Sequence, residues 1–238
     1  MATSSLIKSC VCGGWEFLNG FVHLEVPVNV CLNCGIIHQD IKMDEIQYLN
    51  FYKTEYHEYY QKLKGVTPYP QRYKNDKAVA GLRLAKYDKF VPKQGKILDL
   101  GSGNGAFVDR AIECGYDAIG VDLTESKSDR VINGPLESIL PTLGKFDLIT
   151  LHDVVEHLIN PKQALLDLKN HLSPNGCVVI DFPDFFSKGG FHHWKVIEHI
   201  WFFKEVELVE FVQSLGLKVI HKDKPIPGKI VIYATISE

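Results

Sequence analysis

The stretch K-I-L-D-L-G-S-G-N-G-A-F, residues 96–107, decides the fold. Ile97, Leu98 and Leu100 make an apolar run that reads as a buried strand, and it stops where Gly101, Gly103 and Gly105 alternate with small polar residues. Glycines at those positions let the backbone take positive φ and let a ligand approach the main chain closely. Phe107, Val108, Ala111 and Ile112 then recur at helical spacing, with Gly115 placed as a C-terminal stop. Strand, glycine turn and helix in this order is a nucleotide-binding arrangement, although the loop by itself does not say which cofactor it holds.

A second strand, 118–122, ends in Asp122, a carboxylate able to accept both hydroxyls of a ribose. NAD enzymes and methyltransferases share that device. Asp99 separates them, because a carboxylate at the lip of the first strand repels a pyrophosphate but suits the cationic amino group and sulfonium of S-adenosylmethionine. Gly101, Gly103 and Ala106 also satisfy G-x-G-x-x-A, so the loop alone leaves NAD open, and quenching by NADH without binding of S-adenosylmethionine would mark that case.

Further along, K-F-D-L-I-T-L-H-D-V-V-E-H-L-I-N-P (145–161), L-S-P-N-G and V-V-I-D-F-P follow in order. On I-L-D-L-G-S-G-N-G, the acidic strand end at Asp122 and these later motifs, the chain resembles a class I S-adenosylmethionine-dependent methyltransferase over residues 77–238. The resemblance implies an α/β fold with a seven-stranded Rossmann-like sheet and a final antiparallel hairpin. It implies that Gly101, Gly103 and Gly105 border the methionine moiety, Asp122 holds the ribose and Leu123 flanks adenine, with His152 and Asp153 near the methionine amino group and the transferring methyl. Pro135 stands where the family often has an acid for the adenine amine, which leaves that contact to backbone groups or Glu137.

Strand and helix patterns alternate as this fold requires: a helix over 75–91, then strands at 97–100, 118–122, 130–133, 148–151 and 177–182, which predicts a parallel sheet flanked by helices. Runs at 217–222 and 229–236, separated by Pro-Ile-Pro-Gly, predict a hairpin. With 238 residues the chain holds one α/β domain and a small appendage, divided here into 1–40, 41–75 and 76–238. A formal charge of −3 argues against a broad nucleic-acid surface. No apolar run reaches the roughly 20 residues that span a bilayer, and the first residues lack a signal-like apolar core, so a cytoplasmic protein is expected.

Six cysteines in such a protein point to metal ligation or buried thiols rather than disulfides. Cys31-Leu-Asn-Cys34-Gly35 is a metal knuckle, and Cys10-Val-Cys12-Gly13 upstream completes a four-thiolate structural zinc site. The one-residue gap between Cys10 and Cys12 leaves His23 or His38 as a replacement ligand, and free or redox thiols as the other reading. Cys114 and Cys177 read as core thiols. Residues 6–40 look like short strands too few to hold themselves without metal. Ile46, Leu49, Tyr52, Tyr56, Tyr59 and Leu63 then recur at helical intervals, and together with Tyr60 they pack on the main domain or roof the active site. The resemblance favours a lid. Prolines at 68 and 70 mark 67–71 as a linker.

Methyl transfer from a sulfonium is an in-line displacement, so the enzyme supplies orientation and, for a hydroxyl or carbon acid, a base. Two Glu-His pairs offer one: Glu156-His157 after the fourth strand, read equally as a loop-organising pair, and Glu198-His199 within F-H-H-W-K-V-I-E-H-I-W-F-F-K-E, where His199 alternatively caps a helix from Phe203. The second is similar to the pair in sugar-modifying and ubiquinone-pathway-like methyltransferases, where the histidine serves as base. Carbon-methylating relatives carry a tyrosine where this chain has Val196, which counts against carbon as acceptor. The chain lacks the Asn/Asp-Pro-Pro-aromatic and Pro-Cys signatures of nucleic-acid methylation. The expectation is therefore methylation of a sugar hydroxyl, on a nucleotide-linked or glycan acceptor, with His199, Glu198, His157 and Asp153 around the acceptor. Carbon or nitrogen methylation of a small molecule is the alternative, as is a non-catalytic zinc-ribbon module with a regulatory cofactor site.

Overall fold

The computed structural model describes residues 5–23, 25–55, 69–188 and 190–237. Its strands among these are β1 (Phe17–His23), β2 (Val26–Cys31), β3 (Ile37–Gln39), β4 (Lys96–Leu100), β5 (Asp117–Asp122), β6 (Val131–Asn133), β7 (Phe146–His152), β8 (Leu172–Pro183), β9 (Trp201–Phe202), β10 (Leu217–Asp223) and β11 (Lys229–Ile236). Seven of them form one sheet in the order β10-β11-β8-β7-β4-β5-β6. β4 runs parallel to both β5 and β7, β5 runs parallel to β6, and β10 and β11 form the antiparallel hairpin. Ile97, Leu98, Leu148, Ile149 and Leu151 are fully buried, as expected of central parallel strands covered on both faces. The α/β class, the seven-stranded sheet and the final hairpin are those the motifs implied.

The chain divides into two compact units: Leu49–His152 with Asp167–Val179, and Met1–Tyr48 with Asp153–Leu166 and Ile180–Glu238. In the first, the helix Ala106–Glu113 follows the glycine turn and buries Ala106, Phe107, Val108 and Ala111. A longer helix, Tyr69–Tyr87, starts inside the stretch expected to be a linker. Pro70 falls in its first turn, where a missing N–H has no intrahelical acceptor to lose, so proline there opens a helix instead of interrupting one. Ala80, Leu84 and Tyr87 form its buried stripe. Cys177 is buried within β8, whereas Cys114 is exposed and not the core thiol expected: the helix ends at it, and Gly115 at φ 91° turns the backbone away.

In the second unit β1, β2, β3 and β9 form a four-stranded sheet, with β9 paired to β3 through Ile37↔Phe202 and His38↔Trp201. Residues 200–203 were expected to lead straight into a helix. All four are buried, a continuous apolar run that suits a strand covered on both faces, and the helix begins later, at Glu205–Ser214. Phe202 stacks on Trp194 at 4.1 Å, and Val28, Ile37 and Phe185 close a small core around them. In the tyrosine-rich segment Glu45–Asn50 is α-helical and Phe51–Glu55 a π turn. Tyr48 and Phe51 are its buried residues, while Ile46 is exposed, so the buried face is offset from the one the periodicity suggested. Tyr56, Tyr59, Tyr60 and Leu63 lie outside the described residues.

Candidate active site

At the tip of β4, Asp99 is buried, and its Oδ1 accepts hydrogen bonds from Thr150 Oγ1 at 2.7 Å and from His152 Nδ1 at 3.1 Å. The Tyr87 hydroxyl lies 2.9 Å from His152 Nε2, and its ring is stacked on the imidazole, with Phe107 edge-on at 4.7 Å. A carboxylate can only accept, so His152 carries its proton on Nδ1 and takes the tyrosine O–H at Nε2. Asp99 and His152 thus form one hydrogen-bonded unit at the ends of neighbouring strands.

Asp122 closes the glycine turn from β5: Oδ2 accepts from Gly103 N at 2.7 Å, and Oδ1 accepts from Thr124 N at 2.8 Å and Thr124 Oγ1 at 2.6 Å. Leu123 follows it directly. Gly103, at φ 52°, has nothing within 4 Å of where a Cβ would stand, an open cradle over bare backbone of the kind a cofactor's methionine portion requires. The residues present therefore fit S-adenosylmethionine. Gly105 is different: at φ 77° a Cβ would sit 2.5 Å from Ser128 Cβ. Gly105→Ala is expected to cost about 2–3 kcal/mol from the combined backbone and overpacking penalties, checked by chemical denaturation.

In the other unit, β7 gives way to Asp153, which takes a left-handed φ of 55° and donates its N–H to the Asp181 carbonyl at 2.8 Å. A single 3-10 turn, Val155–His157, follows and buries Glu156 completely. Neither carboxylate oxygen of Glu156 accepts a hydrogen bond from another residue. Burial raises its pKa well above the carboxylate range, Asp153 adds to this, and Lys229 opposes it. His157 Nε2 lies 3.8 Å from Glu156 Oε1, and the His157 ring meets the His199 ring edge to face at 4.6 Å. Burial lowers His157 to about 3 and His199 well below the usual imidazole value, with Lys195 adding to the first and His157 to the second. Both rings are thus neutral at physiological pH, each with one lone pair available. His199 is 1% exposed and its Nδ1 has no hydrogen-bond partner. Glu198 stands 3.7 Å from His199 Nε2 and pairs with Lys195, and Lys229 pairs with Asp153 and, at 3.6 Å, with Asp181. His157, Glu198 and His199 thus come together; Asp153 is on the same loop, held by Lys229.

The four N-terminal cysteines also converge. Four sulfurs placed tetrahedrally about one zinc at about 2.3 Å stand about 3.8 Å apart. Cys10 and Cys34 sulfurs are 3.5 Å apart, Cys12 and Cys31 sulfurs 3.7 Å, and all four lie within 4.8 Å of one another. The one-residue gap is accommodated by a turn in which Gly13, at φ 88°, donates to the Cys10 carbonyl at 2.8 Å. Burial raises the Cys12 thiol, but hydrogen bonds from the Asn33 amide and Gly14 N–H outweigh it and bring the pKa to about 7. Neither histidine considered as a replacement belongs to the cluster: His38 is buried between Phe17 and Trp201, and His23 meets the Trp194 carbonyl at 2.9 Å.

Residues 71–222 match the family model of a methyltransferase domain. The chain belongs to that family. Among curated relatives, the methyltransferase domain is 32% identical over 102 residues to a mitochondrial ubiquinone biosynthesis O-methyltransferase of Schizosaccharomyces pombe, covering 36% of each chain. It is 25% identical over 148 residues to the ubiquinone biosynthesis O-methyltransferase of Rickettsia canadensis, covering 52% of this chain and 63% of that one. The chain thus spans about a third to two thirds of the length of these relatives. Among solved structures it is similar to the Burkholderia thailandensis 1,6-didemethyltoxoflavin-N1-methyltransferase with bound 1,6-didemethyltoxoflavin and S-adenosylhomocysteine, at TM-score 0.59 and 16% identity over 92% of this chain and 99% of that one. It also resembles a SAM-dependent methyltransferase from Archaeoglobus fulgidus, at TM-score 0.54 and 18% identity over 76% and 99% of the two chains. No helix among the described residues is long and apolar enough to cross a membrane.

Three residues of this methyltransferase-family chain escape a reading of motifs. Gln39, fully buried on β3, donates to the Lys195 carbonyl at 2.7 Å and accepts from Ile197 N at 2.9 Å, so it pins the loop carrying Glu198 and His199. Tyr87 orients His152 from the end of a helix, and Lys229 neutralises Asp153 and Asp181 from the last strand. None stands in a motif that would mark it: Gln39 lies between His38 and Asp40 in a short polar run.

Proposed function

We propose that the protein transfers the methyl group of S-adenosylmethionine to a hydroxyl of a small acceptor, with the hydroxyl proton taken up at the buried histidine cluster. The observation that carries this is the neutral, partnerless Nδ1 of His199 beside Glu156 and His157. In this reading Asp99, through its unit with His152, faces the methionine amino group, Gly101, Gly103 and Gly105 line the methionine chain, Asp122 takes the ribose and Leu123 packs on adenine. Bound S-adenosylmethionine supplies an electrophilic methyl on a sulfonium. His199 accepts the acceptor's proton, Glu198 and His157 hold its ring, and Asp153 orients the acceptor. Zinc held by Cys10, Cys12, Cys31 and Cys34 staples residues 1–40, and residues 76–238 form the catalytic domain.

Oxygen as the acceptor atom is supported by the names of the curated relatives, which are O-methyltransferases. They give the sugar acceptor expected from the sequence no support, so the acceptor is proposed only as a small hydroxyl compound. Membership of the methyltransferase family leaves the NAD-dependent reading without ground.

The test is release of S-adenosylhomocysteine with two acceptor panels, polyphenols and nucleotide-linked sugars. His199→Ala is expected to lower kcat by about 100-fold or more, as for loss of a general base, while S-adenosylmethionine affinity stays within twofold of the parent. Unchanged turnover in that variant would remove His199 from the chemistry. No methyl transfer to either panel, with cofactor bound normally, would favour the regulatory module.

A further inference from the structure

We propose that Glu156, His157 and His199 form a second metal site, one that takes a single divalent transition cation with nitrogen and oxygen ligands and is independent of the four cysteines. One ligand atom from each residue lies within 4.8 Å of the other two. Both oxygens of Glu156 and Nδ1 of His199 are fully buried without hydrogen-bond partners, and His157 Nε2 faces the same carboxylate at 3.8 Å. With Glu156 ionised, the three groups present lone pairs to one another and repel unless something electropositive stands between them. A shared proton is the wrong size for the gap, because a hydrogen bond to a ring nitrogen needs about 2.7–3.2 Å. A cation fits better: imidazole and carboxylate ligands at about 2.0–2.2 Å stand roughly 3 to 4 Å apart around one ion.

The His157 ring lies against the Glu198 backbone and the His199 ring against the His193 backbone, polar neighbours of the kind that hold metal-ligating imidazoles in place. Two histidines and one carboxylate, with positions left open, suit Zn2+, Fe2+ or Co2+ better than Mg2+ or Ca2+, which prefer oxygen.

The test uses the full chain with its cysteines loaded with zinc, titrated with Co2+ and followed by visible absorption and by elemental analysis. One equivalent of cobalt without thiolate charge-transfer bands is expected, with affinity falling at least about tenfold in Glu156→Gln and in His199→Gln. Retention of one zinc per chain by both variants shows that they are folded. Failure to take up cobalt, or uptake that survives in both variants, overturns the site. Because the readout is metal binding, it is unaffected if methyl transfer to a hydroxyl is not the reaction.

Discussion

With zinc proposed on the four cysteines, the chain treated with a chelator, or carrying Cys31→Ser, is expected to lose methyl transfer by more than about 100-fold even though the cysteines are not proposed to touch the reacting groups. Structural zinc in small modules contributes about 10–16 kcal/mol of folding free energy, comparable to the whole stability of an ordinary domain. Residues 5–40 offer little to replace it: three short strands that contribute Val28 and Ile37 to a small apolar core shared with Phe185, Trp194 and Phe202. The consequence travels through β3. Its Ile37 and His38 pair with Phe202 and Trp201, and its Gln39 holds Lys195 and Ile197, so loss of β3 leaves the loop bearing His199 without its frame. Hydrogen exchange should therefore rise at 26–39 and at 195–202 together, while affinity for S-adenosylmethionine, proposed to rest on residues 99–124, changes little. Exchange rising only around the cysteines, with turnover intact, would disconnect the metal from the histidines. A milder version is Gln39→Ala, which strands a buried carbonyl and a buried N–H at about 1–3 kcal/mol each.

Asp122→Ala is expected to weaken S-adenosylmethionine binding by at least about 100-fold, roughly 3 kcal/mol. The carboxylate does two things at once: it is proposed to accept the ribose hydroxyls, and it accepts hydrogen bonds from Gly103 N, Thr124 N and Thr124 Oγ1. Hydrogen bonds to a charged acceptor contribute about 1.5–3 kcal/mol each, and removing the acceptor leaves the Gly103 N–H unpaired where the turn must keep its positive φ. Asp122→Asn keeps the shape but loses the charge and one acceptor, and an intermediate loss of about tenfold is expected. Calorimetry with S-adenosylmethionine and S-adenosylhomocysteine checks both. Equal affinity in all three proteins would place the ribose elsewhere.

The sequence by itself determined what is local. An apolar run, alternating glycines and a carboxylate 23 residues after Asp99 specify strand, turn and an acidic end to the next strand within one βαβ unit, because those features depend on neighbours along the chain. The Cys31-x-x-Cys34-Gly35 knuckle was legible for the same reason: glycine at φ 79° completes a turn encoded by five consecutive residues. The irregular Cys10-x-Cys12 half was less so, since its fit depends on sulfurs brought from β2 and the turn after it.

Only the tertiary structure decided which of the ten histidines matter together. Glu156-His157 and Glu198-His199 are visible as pairs, but nothing in either says that His157 and His199 meet edge to face, that the Glu156 carboxyl has no hydrogen-bond partner, or that Gln39 pins the second loop. The aromatic run 200–203 looked like the approach to a helix and became an edge partner for β3, and Cys114 looked buried and is exposed. The physical reason is common to all of these. Local propensity and periodicity report what a segment prefers alone, whereas burial, charge balance and unsatisfied polar atoms are properties of residues far apart in sequence that meet only when the chain has folded.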